Sequence, residues 1–196
     1  MKRFFEDCFD LIFRMVITQI GLTMFGTMLA LVSRKLPGAE EKVKDPMLIV
    51  VSLVAIGLYL FLLYVHTWEK GARDKIKVDG GRMKKSKYKG LFASLVANSI
   101  NIILGLVMCI SYPFCDFDIA PYSTPCQVFG SANLIARFIQ GMYLGLIRYF
   151  FPDALNTPPI IFILIVLPAV LISFAGYYMG SENKGKLKIF DTTPSK

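Results

Sequence analysis

The chain has 196 residues, of which 55% are hydrophobic and 18% charged, and its mean hydropathy is +0.54. That is too apolar for an ordinary soluble domain, in which about 25% of residues are charged, yet the formal net charge is +8. The combination excludes a disordered chain, a collagen-like repeat and a disulfide-dense secreted mini-protein, and it points to an integral membrane protein whose charge is kept apart from its apolar segments.

The first apolar stretch runs from about Leu11 to Val32, long enough at about 1.5 Å per residue to cross roughly 30 Å of hydrocarbon as a helix. It is longer than a signal-peptide core, contains Arg14 and lacks a small-residue cleavage site, so it reads as a retained first helix or signal anchor. Gln19, Thr23, Gly26 and Thr27 share one sector of it. Arg14 and Thr18 lie on another face, where the arginine can snorkel to headgroups.

The second span covers residues 47–65. After it, residues 67–90 read as a basic loop with nine Lys/Arg against three acids, a net of +6. The positive-inside bias puts this loop in the cytoplasm, and alternation puts both termini there too, at a membrane expected to be the plasma membrane. The loop offers Trp68 as an interfacial residue, and Glu69, Asp74 and Asp79 as partners for Arg73 and Arg82 or for a cytoplasmic protein. Its basic run from Arg82 to Lys89 suits anionic lipid headgroups. Gly80-Gly81 marks a turn, but no phosphate-binding glycine loop is present.

The third span covers residues 91–111. Ser94, Asn98, Asn101 and Gly105 fall on one helical face there. Such amides in lipid read either as interhelical glue or as part of a polar path, with the sector of Gln19 and Thr23 as the natural partner. Beyond this span, Cys115 and Cys126 flank a turn-rich outer segment and are candidates for a disulfide.

Residues 128–150 show helical amphipathicity. Asn133, Arg137, Gln140, Gly141 and Arg148 lie on one face, and Ile135, Phe138, Ile139, Met142, Leu146 and Tyr149 on the other. The segment is expected to lie in the outer interface or to re-enter the bilayer; spanning with its polar face inward would make it a fifth span. The last span covers residues 160–179, with Pro168 expected to kink it and Gly176-x-x-x-Gly180 to form a close-packing face.

The expected architecture is therefore an all-α polytopic membrane protein, one domain over residues 1–196, with four spans plus an outer amphipathic or re-entrant helix. His66 is the single histidine, and no C-x-x-C pair occurs, so neither a metal nor a cofactor is expected. The membrane segments lack catalytic pairs, so an enzyme is not expected, and no nucleic-acid motif accompanies the basic loop. Two functions fit. One is a small transporter, channel or transport-complex subunit, working as a homo-oligomer or within a membrane complex. The other is a scaffold or regulator that docks a partner through residues 67–90. The topology has a direct consequence: green fluorescent protein fused after Lys196 will fluoresce, and alkaline phosphatase fused after Thr124 will be active. The reverse pattern would overturn the assigned orientation.

Overall fold

The computed structural model describes residues 2–34, 41–115, 123–151 and 157–182, with side chains placed from Cys8 to Val32 and from Pro46 onward within those ranges. Among the described residues there is no strand. The helices are α1 (Lys2–Arg34), α2 (Glu41–Asp79), α3 (Lys89–Ala97), α4 (Ser99–Ser111), α5 (Thr124–Ile139), α6 (Leu144–Phe150), α7 (Ile160–Leu164) and α8 (Val166–Ser181).

Among the described residues, three segments are long and apolar enough to cross a membrane by themselves: Cys8–Val32, Pro46–Asp79 and Ile160–Ser181. The consecutive helices α3 and α4 meet the same test together, but bent by 58°. Large apolar side chains such as Phe9, Phe13, Ile17, Ile20, Met24 and Met28 are exposed along α1 at helical spacing. A surface of that kind is stable against hydrocarbon and costly against water. The architecture is that of an all-helical membrane protein.

Helices α1 and α2 are antiparallel, since Arg14 lies 3.8 Å from Glu69 and Thr18 Oγ1 lies 3.4 Å from His66 Nε2. The start of α3 and the end of α8 reach the same end of the bundle: Lys89 pairs with Asp74, and Lys85 pairs with Glu182 at 2.5 Å. This is the basic end. Helix α2 does not stop at residue 65. It continues through the segment expected to be a loop and ends at Asp79, where Gly80 and Gly81 make the turn, the latter at φ +69°. The extension is helical because it packs against α8: Gly71 faces the Tyr177 carbonyl, Gly176 the Thr67 hydroxyl and Gly180 the Trp68 carbonyl. A Cβ at any of the three would strike backbone or a buried side chain, so glycine sets how closely α2 and α8 approach.

The amphipathic stretch 128–150 is not one helix. It divides at Gln140, and a 3₁₀ turn at Gly141–Tyr143 separates α5 from α6. Helix α5 starts beside the end of α4, where Cys115 and Cys126 are disulfide-bonded and the Tyr112 and Phe129 rings stand 5.6 Å apart. It then runs into the bundle. The turn rests on α1, with Gly141 against Thr23 and Thr27, and Met142 against Gly26. Helix α6 climbs back along α2, where the Gly145 amide donates to Ser52 Oγ at 3.0 Å. The segment is thus a hairpin that enters and leaves at the end opposite the basic one. Its polar face is turned inward: Asn133 and Gln140 are buried and Arg137 half-buried, whereas Leu134 and Phe138 are 71% and 76% exposed. Arg148, placed by the sequence on the same face, is exposed on the far side of the break.

The glycines give a contrast that thermal unfolding in detergent can measure. Gly180→Leu will destabilise the protein by about 3 kcal/mol or more, because the α2–α8 seam has no room for a side chain. Gly57→Ala, at a position with open space around it, will be neutral or stabilising by up to about 1 kcal/mol.

Candidate functional site: a polar chamber at three helix breaks

Three interruptions of helix geometry meet near the middle of the bundle, at Asn98, Gln140 and Ile165. Each has a local cause. Proline at 168 has no N–H to give the Leu164 carbonyl, so the last helix is interrupted at Ile165, three residues before the proline. Asn98 Nδ2 donates to the Ser94 carbonyl at 3.0 Å, in competition with the ladder, and Asn98 caps α3 before α4 departs at a new angle. Gln140 caps α5, and Gly141 follows where any Cβ would meet Thr23 and Thr27.

A break in hydrocarbon frees backbone carbonyls, and each must find a donor inside the protein. Thr23 Oγ1 donates to the Ile139 carbonyl at 2.8 Å, across from α1 to the end of α5. Gln140 Nε2 donates to the Phe162 carbonyl at 3.2 Å, from α5 to α7. A threonine hydroxyl and a glutamine amide thus serve carbonyls at the breaks of helices other than their own.

The capping fixes which way each amide faces. Asn98 must present Nδ2 to a carbonyl, so its Oδ1 remains as acceptor and takes Asn101 Nδ2 at 3.1 Å. That leaves Asn101 Oδ1 as the free atom. Gln140 likewise spends Nε2 on Phe162 and keeps Oε1. Both oxygens are buried without a hydrogen-bond partner, and their residues are 3% and 1% exposed. They line a cavity of about 10 Å³ together with Gln19, Tyr59, Asn98, Met142, Tyr143, Ile165, Val166 and Ala169. That is room for about one water-sized particle. The chamber therefore holds neutral groups with surplus acceptor capacity. They can bind a donor or a cation, but they include no carboxylate or imidazole to move a proton or attack a substrate.

The other sequence-selected residues fall into separate groups. Ser94 is fully buried on α3 beneath Asn98, with its hydroxyl unpartnered, and Thr23 caps α5 rather than joining the asparagines. Asn133 Oδ1 accepts from Arg137 Nε at 2.8 Å; Arg137 Nη2 also donates to Thr157 Oγ1 at 2.9 Å, and its guanidinium lies 5.7 Å from the Phe162 ring centre. Trp68 is half-buried on the α2–α8 seam. Glu69 bridges Arg73 and Arg14, and Arg14 also pairs with Asp10 at 3.3 Å. Arg82 is exposed.

Asp74 behaves differently from the expected surface acid. It is 2% exposed, with Lys89 Nζ at 2.9 Å, the Tyr177 hydroxyl donating at 3.1 Å and Lys70 Nζ at 3.6 Å. This cluster ties α2, α3 and α8 together at the floor of a 240 Å³ cleft. Nearby, the Glu182 carboxylate raises the pKa of the Lys85 ammonium above its ordinary value by accepting its hydrogen bond and by its charge.

The sequence does not single out Tyr59, Tyr143 or Tyr177, and Lys89 reads there as part of the lipid-facing basic run. Each sits in a run whose neighbours explain it as an interfacial aromatic or a lipid-facing cation, and only the packing brings it beside an amide or a carboxylate. Gln140 was placed on the outer helix, apart from the amides it now joins. No protein-family model, curated protein or solved structure matches this chain, so its chemistry has to be read from these residues.

The buried ion pair has a testable energetic signature. Lys89→Met will destabilise the protein by about 3 kcal/mol, because it takes the nearest cation from a buried carboxylate. Adding Asp74→Asn to that variant will recover part of the loss, as measured by thermal unfolding in detergent.

Proposed function

We propose that this chain is a small transport protein, a transporter or channel in itself or the membrane subunit of a transport complex, and that a small solute is handled in the chamber between Asn98, Asn101 and Gln140. The observation that carries the reading is the convergence of three helix interruptions on one polar cavity within the bundle. Discontinuous helices and intramembrane amides are costly in lipid, and transport sites are where they recur. The basic end then faces the cytoplasm, with both termini on that side, at the plasma membrane. On this arrangement α1, α2, the bent pair α3–α4 and the final pair α7–α8 make four spans, and the hairpin of α5 and α6 re-enters from outside.

The chamber has room for about one water-sized particle, with Met142 and Val166 buried against it. Passage therefore requires an opening of its walls, and the hairpin, held on α1 and α2 by glycine contacts and few hydrogen bonds, is the element suited to move. A docking role for the basic end is a second reading. It rests on Arg82, Lys84 and Lys87, which are exposed, and it is weakened because Asp74, Lys89, Glu69 and Arg73 are engaged within the chain.

Proteoliposomes test the transport reading. Stopped-flow light scattering after osmotic shock, with potassium chloride, ammonium chloride, urea or glycerol as solute, will show faster relaxation for at least one of them than in protein-free vesicles. Asn98→Leu with Asn101→Leu will return that rate to the protein-free value. Rates equal to protein-free vesicles for every solute, or a rate unchanged by the double substitution, would overturn the reading.

A further inference from the structure

Resting on the transport reading of the same chamber, we infer that its ligand is a single monovalent cation of about the size of a water molecule, potassium or ammonium. The hydrogen-bond relay carries the argument. Gln140 is oriented by the Phe162 carbonyl, and Asn101 by Asn98 Oδ1, which is itself set by the bond of Asn98 to the Ser94 carbonyl; Asn101 and Gln140 each keep a buried oxygen without a hydrogen-bond partner, and both residues line the cavity. An anion would meet the lone pairs of two oxygens and leave both of them unpaired, so halide, phosphate and carboxylate ligands are disfavoured. An organic solute is excluded by size, because the space is about 10 Å³.

Charge is favoured over plain water by the rest of the wall. Gln19, Tyr59 and Tyr143 add further oxygens around the same space. A wall of neutral carbonyl and hydroxyl oxygens replaces a hydration shell without trapping the ion as a carboxylate would, and this is the binding strength that a permeating ion needs.

The test uses the full chain purified in detergent, with potassium, ammonium, sodium or choline chloride at equal ionic strength. Potassium or ammonium will raise the Tm by about 5 °C over choline, and equilibrium dialysis with radioactive rubidium will retain about one ion per chain, displaced by potassium or ammonium. Asn101→Leu will abolish the increment. If that variant does not fold, the rubidium measurement on the unmodified protein decides. Equal Tm in all four salts with no rubidium retained would overturn the cation and leave a buried water in the chamber. Solute flux without ion retention would sink the cation site alone, and ion retention without flux of any solute would sink the transport reading alone.

Discussion

A helix cannot be interrupted inside hydrocarbon unless something in the protein takes over the hydrogen bonds it drops. That constraint organises the middle of this molecule. The Ile139 and Phe162 carbonyls near the breaks are met by Thr23 and Gln140 from other helices, and Asn98 Nδ2 adds a second bond to the Ser94 carbonyl one turn back. Because carbonyls accept and never donate, they also dictate the orientation of the amides that serve them. The acceptor character of the chamber is thus a by-product of capping: once these amides turn their nitrogens to acceptors, Asn101 Oδ1 and Gln140 Oε1 are left without a partner.

Close packing supplies the second condition. A hairpin can be inserted among spans only where its backbone approaches theirs, and Gly141 and Gly145 permit this against α1 and α2. The same device closes the α2–α8 seam through Gly71, Gly176 and Gly180. There the close approach carries Tyr177 to Asp74, and Lys89 completes a charged cluster whose carboxylate and ammonium are buried. The two ends of the bundle are therefore held differently. The basic end is fixed by glycine seams and buried charge, and the opposite end by the Cys115–Cys126 bond and a hairpin resting on small residues.

Much of this was legible in the chain. Apolar runs of span length, separated by turns, identify the long helices, and Asn98, Asn101 and Gln19 do meet around one cavity. Other features were misplaced for physical reasons. Residues 67–79 look like a solvated loop because they are rich in charge, but helical periodicity survives beneath that charge and Gly71 marks the seam. Gln140 looked like a member of an outer interfacial helix because its amphipathic pattern is continuous from Val128 to Phe150. The break there depends on contacts with Thr23, Thr27 and Phe162, all distant in sequence.

By itself the sequence determined the membrane character of the protein, its long apolar helices and the concentration of positive charge in residues 67–90, because these follow from local composition and period. It also determined that residues 128–150 carry one polar and one apolar face. Which face turns inward was decided only by the tertiary structure, since an amphipathic pattern is the same whether water or other helices meet the polar side. Only the fold brings Asn98, Gln140 and Ile165 together, and only there do the amides lose their freedom to rotate. That loss leaves Asn101 Oδ1 and Gln140 Oε1 as unpartnered oxygens beside one small cavity.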